Sequence, residues 1–223
     1  VMLWTDRAAW TAGKAGDAGA APVRPTGMEV DPAIAGGTVG WLLIAVAVQI
    51  TTVTAPLLVT NTLGGGYDQL GIYAGLAAAL ELPFIILWGY VLRWVKKHTV
   101  IIAAAMLYAI YLGLLSQAQS VADVLWLQLI NGPATAALVS IPISYMQEAI
   151  RGRVGLSTSL LDVVRVVAVL SSAAIFGGVT AVTPDYPMLF VIAAILSLSG
   201  AVAMFAAHRV LRSLPPEPAG TQV

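Results

Sequence analysis

Six apolar runs, at residues 39–62, 70–95, 99–117, 122–148, 155–182 and 187–207, leave this chain few ways to fold. Each is near or above the ~20 residues that a helix needs to cross a bilayer core of about 30 Å. The connections are short, so neighbouring helices should run antiparallel. Composition points the same way, because 59% of the residues are hydrophobic and 10% charged, against about 25% charged in a soluble domain. The expected fold is an all-α membrane protein of six transmembrane helices.

Charge fixes the expected topology. Arg93, Lys96 and Lys97 lie between spans two and three, Arg151 and Arg153 between four and five, and Arg209 and Arg212 after span six. The loops between them carry Asp68, Asp123 and Asp185 and no basic residue. Positive charge marks the cytoplasmic side, so both termini are expected inside. Residues 1–37 are rich in Gly, Ala and Pro, with no apolar run; they are expected to form a flexible cytoplasmic tail or linker. They contain no signal-peptide pattern. The membrane domain is expected over 38–210, with a disordered tail at 211–223. The first residue, Val1, hints that the chain begins inside a longer one.

The spans differ in polarity. Span one carries Gln49, Pro56 and threonines from Thr51; span two carries Glu81 and Pro83. Span four carries Gln128, Asn131, Pro133, Pro142, Gln147 and Glu148, and span five Asp162 and Arg165. Spans three and six are apolar apart from small residues, hydroxyls, Tyr108 and Tyr111. The order polar, polar, apolar therefore occurs twice. Three helices are an odd number, so the second set enters upside down, as in a 3+3 inverted repeat. That pattern predicts polar helices around a pathway, with the third of each set facing lipid. The four prolines all fall in polar spans, where each removes a backbone donor and favours a bend.

Depth selects the candidate site. At 1.5 Å per residue, Glu81 lies about 16 Å from the outer end of span two, and Arg165 about 15 Å from the inner end of span five. Gln49 is about 15 Å into span one by the same measure. Midplane polar groups from several helices are where secondary transporters bind their solutes. Glu81 is either half of an ion pair that holds helices together or part of a pathway or proton relay. Arg165 has Asp162 three residues earlier on the same face, so local neutralisation competes with a cavity role. Glu148, beside Arg151, suits a gate or interfacial salt bridge. Gly36 with Gly40, and Gly71 with Gly75, are spaced for close helix packing.

Enzyme chemistry finds little support. The chain has no cysteine, and His98 and His208 sit at the basic ends of apolar runs, away from any carboxylate cluster. No metal-ligand set appears, Gly-x-Ser-x-Gly is absent, and Leu63-Gly64-Gly65-Gly66-Tyr67 lacks a Walker lysine. No catalytic residue, cofactor, metal or nucleic-acid partner is expected.

From Gly89, the segment GYVLRWVKKH resembles a degraded copy of the major facilitator loop motif Gly-x-Leu-Ala-Asp-Arg-x-Gly-Arg-Arg. Arg93 stands at the motif's Asp and Lys96 at its second Gly. LAAALELPFIILWGY from Leu76, LQLINGPATAAL from Leu127 and ISYMQEAIRGRVGLSTSLLDVVRV from Ile143 resemble the carboxy-terminal half of bacterial sugar efflux transporters. The resemblance covers about residues 40–208 and implies roles for Glu81, Gln128, Asn131 and Gln147. Arg165 lies near an arginine of the family pattern, whereas Asp162 has no counterpart. The family has twelve spans, so the chain is expected to be six of them, partnered by an amino-terminal six-helix half in the same longer chain or in a second subunit.

Together these features imply a secondary transporter in a bacterial inner membrane, exporting small sugars or related solutes by alternating access. Gln49, Glu81, Gln128, Asn131 and Arg165 are the expected cavity residues, with Glu81 as candidate proton carrier. Gln147, Glu148, Arg151, Asp162, Arg93, Lys96 and Lys97 are expected at gates or interfaces. Two rivals are a cation or multidrug exporter of the same fold and a six-span scaffold without transport. The scaffold requires Glu81 paired with Arg165 and no solvent-filled groove.

Overall fold

The computed structural model describes residues 32–149, 154–183 and 186–213. Six helices account for nearly all of them: α1 (Pro32–Leu57), α2 (Tyr67–Val91), α3 (Lys97–Leu115), α4 (Val121–Ala149), α5 (Val154–Val182) and α6 (Tyr186–Ser213). Each is long and apolar enough to cross a membrane, and no strand occurs among the described residues. The chain is an integral membrane protein. The expected tails at 1–37 and 211–223 fall mostly outside the described residues, as does Arg151; helix is present from Pro32 and as far as Ser213.

Local chemistry sets the helix ends. Ser120 and Asp123 open α4 with reciprocal bonds: the Asp123 carboxylate accepts the Ser120 N–H at 2.9 Å, and the Ser120 hydroxyl accepts the Asp123 N–H at 3.2 Å. Two otherwise orphaned donors are satisfied at once. After Pro56, α1 widens into a π-helical turn over Leu58–Thr62. Gly64, with φ 65°, then reverses the chain toward α2.

Helix α1 packs against α6 and α5; α3 packs against α4 and α6; α2 packs against α4. Exchanging α1 with α4, α2 with α5 and α3 with α6 maps this pattern onto itself. The α1–α6 contact becomes α4–α3, α2–α4 becomes α5–α1, and α3–α6 is unchanged. An inverted repeat of three helices requires that symmetry.

The tightest seam joins α1 to α6. A Cβ on Gly36 would lie 3.0 Å from the Ala207 Cβ, and one on Gly40 2.8 Å from the Gly200 carbonyl oxygen. Without a hydrophobic force between helices in lipid, such backbone approach is what packing relies on. Gly71 and Gly75 behave differently, since nothing in this chain lies within 4 Å of a Cβ on either. They face outward on α2.

The apolar third helices are two-faced: Met106, Ile110 and Leu114 of α3 and Ile195, Leu198 and Val202 of α6 are exposed, as a lipid-facing helix requires, while the opposite faces pack inward. Helix α3 buries Ile101, Ala105, Tyr108, Tyr111 and Leu112 completely or nearly so, while α2 has no buried residue at all. Helix α6 likewise buries Leu189, Phe190 and Ala193. An apolar helix with small residues can pack on two neighbours at no desolvation cost. The polar α2 and α5 are instead left at the flanks, with Ile72, Leu82, Ile86, Val163, Val166 and Leu170 uncovered.

The helix ends segregate by charge. Gly37 meets Tyr145, and Lys97 Nζ donates to the Ser144 carbonyl at 3.5 Å. This end also holds Arg93 and Lys96 in the turn between α2 and α3, and the stacked rings of His98 and His208. Asn61 bonds Tyr186 at the other end, where Asp68 and Asp123 lie in the first turns of α2 and α4.

Candidate functional site

A groove of about 370 Å³ opens where α1, α4 and α5 converge. Helical spacing brings its lining together. Trp41, Ala45, Val48 and Gln49 follow helical i, i+4, i+7, i+8 spacing on α1, and Thr135, Leu138, Val139, Pro142 and Ile143 follow i, i+3, i+4, i+7, i+8 on α4, with Gln147 one turn on. Thr158, Leu161, Asp162, Arg165 and Ala168 follow i, i+3, i+4, i+7, i+10 on α5. One face of each helix therefore supplies the wall. Amide, hydroxyl, carboxylate, guanidinium and indole groups converge on a cavity within the ~300–1,000 Å³ range of small-molecule sites.

Asp162 and Arg165 are both exposed to the groove, about 4.5 Å apart along the α5 axis. Neither has a hydrogen-bond or ion-pair partner among the described residues. Gln49 is half-buried and its amide is likewise without a partner among them. The Thr135 hydroxyl donates to the Asn131 carbonyl at 2.9 Å. Its oxygen lone pairs remain available to a solute.

Of the residues singled out in the sequence, Gln49, Gln147, Asp162 and Arg165 come together here. Glu148 ends α4 close by in sequence, and its side chain lies outside the described residues. Arg93 and Lys96 are exposed in the turn before α3, and Lys97 opens that helix. Gln128, Asn131 and Glu81 are elsewhere.

Gln128 and Asn131 are buried in α4, at 0% and 8% exposure. They satisfy one another: Asn131 Nδ2 donates to Gln128 Oε1 at 2.8 Å, and Gln128 Nε2 reaches the Val124 carbonyl at 3.5 Å. Tyr73 of α2 and Tyr111 of α3 lie beside them. These residues form a buried polar knot between α2, α3 and α4, apart from the groove. One turn further, Trp88 Nε1 donates to the Pro133 carbonyl at 2.8 Å, and a Cβ on Gly132 would lie 2.8 Å from the Leu80 Cβ. Glu81 follows Leu80 at the edge of this α2–α4 seam. It is half-buried, is not part of the groove lining, and makes no ion pair with Arg165.

The knot carries one loose end. The Tyr111 hydroxyl is wholly buried with Tyr73 and Gln128 beside it, but it makes no hydrogen bond of good geometry among the described residues. An unmade buried bond costs about 1–3 kcal/mol. Tyr111→Phe is therefore expected to be neutral or to stabilise by up to about 1 kcal/mol, whereas Asn131→Leu, which strands Gln128, is expected to cost about 1–3 kcal/mol. Unfolding of the purified protein in mild detergent measures both; equal losses would mean that Tyr111 is bonded after all.

Trp41, Tyr73, Thr135 and Thr158 were not singled out by sequence reasoning. Each belongs to a residue type common in membrane helices for packing or interfacial reasons. Only the shared register of Trp41 with Gln49, Thr135 with Pro142 and Thr158 with Arg165 signals more.

No family model and no solved structure matches the chain. Curated proteins do. Sugar efflux transporter A of Escherichia coli is 30% identical over 156 residues, which is 70% of this chain and 38% of that protein. Sugar efflux transporter A of Dickeya chrysanthemi is 28% identical over 157 residues, covering 70% and 39%. A Deinococcus radiodurans relative is 28% identical over 165 residues, covering 72% and 42%. The chain thus spans about two fifths of the length of the curated relatives it matches. With six spanning helices in a symmetric 3+3 arrangement, this chain is a homologue of the sugar efflux transporters of the major facilitator type.

Proposed function

We propose that this six-helix unit is the carboxy-terminal half of a transporter that exports small sugars or related solutes by alternating access. The observation that carries this reading is the groove: amides, hydroxyls and an indole converge on it from three helices, with an arginine and an aspartate that have no ion-pair partner among the described residues. Hydroxylated solutes need donors and acceptors in this mixture, and Trp41 offers an apolar ring face to the C–H side of a sugar. The six-span scaffold is disfavoured, since it requires a Glu81–Arg165 pair and no groove.

An amino-terminal six-helix half, in the same chain or a second subunit, is the proposed partner. It would cover the bare flanks of α2 and α5 and close the groove into a central cavity. The proposed setting is a bacterial inner membrane with the basic end of the bundle in the cytoplasm. Proton coupling through Glu81 is part of this reading, supported by its depth.

Because the chain has no cysteine, Thr135→Cys, Thr158→Cys and Gln147→Cys can be introduced singly into the protein in its own membrane. Each is expected to react with a water-soluble thiosulfonate reagent and to be protected by sugar, while Leu82→Cys on the bare α2 flank gains no protection. Unreactive groove positions would overturn the cavity; reactive positions protected by cationic dyes instead of sugars would reassign the solute. In efflux assays Glu81→Gln is expected to flatten the pH dependence of transport. An unchanged rate and profile would end the proton role while leaving the sugar role standing.

A further inference from the structure

A second cavity, of about 230 Å³, lies along the same α1–α5 seam. Gln49, Ile50, Thr52, Val53, Val169, Ser172, Ala173 and Phe176 line it, so Gln49 belongs to both cavities. Residue numbers rise together on α1 and α5 from the first cavity to the second. The two helices therefore run parallel, and the second cavity sits toward their C-terminal ends. The path from Trp41 and Thr158, past Asp162, Arg165 and Gln49, to Ser172 and Phe176 is one track with an amide in the middle.

The chemistry of the second cavity is specific. The Thr52 hydroxyl donates to the Val48 carbonyl at 2.8 Å, and the Ser172 hydroxyl to the Val169 carbonyl at 2.8 Å. Each hydroxyl has thereby spent its only proton and can only accept. Gln49, without a partner among the described residues, can both donate and accept. Phe176 adds a half-buried aromatic ring. Two fixed acceptors, one two-way amide and a ring face suit a neutral polyhydroxylated solute, whose O–H groups donate while its C–H face lies on the ring. No ionised group lines this cavity, in contrast to the groove with Asp162 and Arg165.

We infer that the α1–α5 seam holds a second solute subsite at Thr52, Ser172 and Phe176, and that Gln49 hands the solute between it and the groove. The inference rests on the sugar-export reading above and goes beyond it by assigning a separate station on the route. The subsite discriminates by hydrogen-bond donors on the solute, and the groove adds charge.

The test uses the intact transporter in proteoliposomes, with radiolabelled glucose and lactose as probes and solute supplied from either side. Thr52→Val with Ser172→Ala removes both acceptors with little change in volume. The pair is expected to raise the half-saturation concentration roughly three- to tenfold for solute entering from the α1 and α5 C-terminal side. Entry from the other side, and sugar protection of Thr158→Cys, should be unchanged. Gln49→Leu is expected to impair both directions. If the double variant matches the parent from both sides while Gln147→Ala impairs uptake, the second subsite is refuted and the sugar reading stands. If none of these variants alters sugar movement and no sugar protects Thr158→Cys, the sugar reading itself falls. Ser172→Thr, which keeps an acceptor, should retain near-parental behaviour; a loss equal to that of the double variant would point to packing and overturn the inference.

Discussion

Gly200→Val is expected to cost the six-helix unit about 3 kcal/mol or more. A Cβ on Gly200 would sit 2.6 Å from the Gly40 carbonyl oxygen, 2.7 Å from Ile44 Cγ1 and 3.2 Å from the Ile44 backbone nitrogen. Two of these neighbours are backbone atoms, which cannot rotate away as a side-chain tip does. The helices must separate, and contacts along the whole α1–α6 seam are lost with them. Overpacking of this kind costs about 1–3 kcal/mol in ordinary cores and more where nothing can give. Gly75→Ala makes the contrast. Nothing lies within 4 Å of its Cβ in this chain, and replacing a helical glycine by alanine favours the helix by up to about 1 kcal/mol. Denaturant titration in detergent, followed by tryptophan fluorescence, should show Gly200→Ala falling by about 2 kcal/mol, Gly200→Val falling further, and Gly75→Ala unchanged or gaining. If Gly200→Ala proves as benign as Gly75→Ala, close approach is not what holds α1 to α6.

These two glycine pairs also indicate what a sequence can disclose. Hydropathy and the basic loops were sufficient for the spans, because lipid imposes length and polarity on each helix separately. Spacing alone could not separate Gly36 and Gly40, which meet α6, from Gly71 and Gly75, which meet nothing in this chain. That distinction depends on which helix stands opposite. The candidate site divides the same way. Depth put Gln49, Glu81 and Arg165 at one level, and Gln49 and Arg165 do share a groove with Asp162 and Gln147, yet depth is one coordinate, and the angle around the helix is the other. Gln128 and Asn131 have the right polarity in the right span but turn into the seam with α2 and α3, where they satisfy each other. Glu81 has the right depth but sits on a helix whose chief neighbour is α4, away from the groove. Polarity order likewise announced the inverted repeat, but it could not say which face of α3 and α6 packs inward and which stays bare, because both faces are apolar.

Replacing Arg165 is expected to damage transport most while leaving the fold alone. An arginine at mid-depth costs on the order of 2.5–3.5 kcal/mol on insertion scales. A neighbouring carboxylate at i,i+3 returns only about 0.2–0.5 kcal/mol on a solvated helix, and Asp162 makes no direct bond to Arg165. The magnitudes therefore do not balance unless water in the groove solvates the guanidinium, which would leave Arg165 available to a solute. Arg165→Gln removes no contact among the described residues and should shift stability by no more than about 0.5 kcal/mol. Charge-assisted hydrogen bonds to a solute are worth about 1.5–3 kcal/mol, so the catalytic efficiency of efflux should fall roughly ten- to a hundredfold. Arg165→Lys keeps the charge without the planar donor fork and should fall between the two. Asp162→Asn leaves the arginine in place and should cost a few-fold at most, in line with the ~0.2–0.5 kcal/mol expected of such a pair. Efflux kinetics and detergent stability measured on the same four proteins separate the roles. A drop in stability that parallels the drop in efflux would make Arg165 a structural ion, and intact efflux in Arg165→Gln would remove it from the solute path.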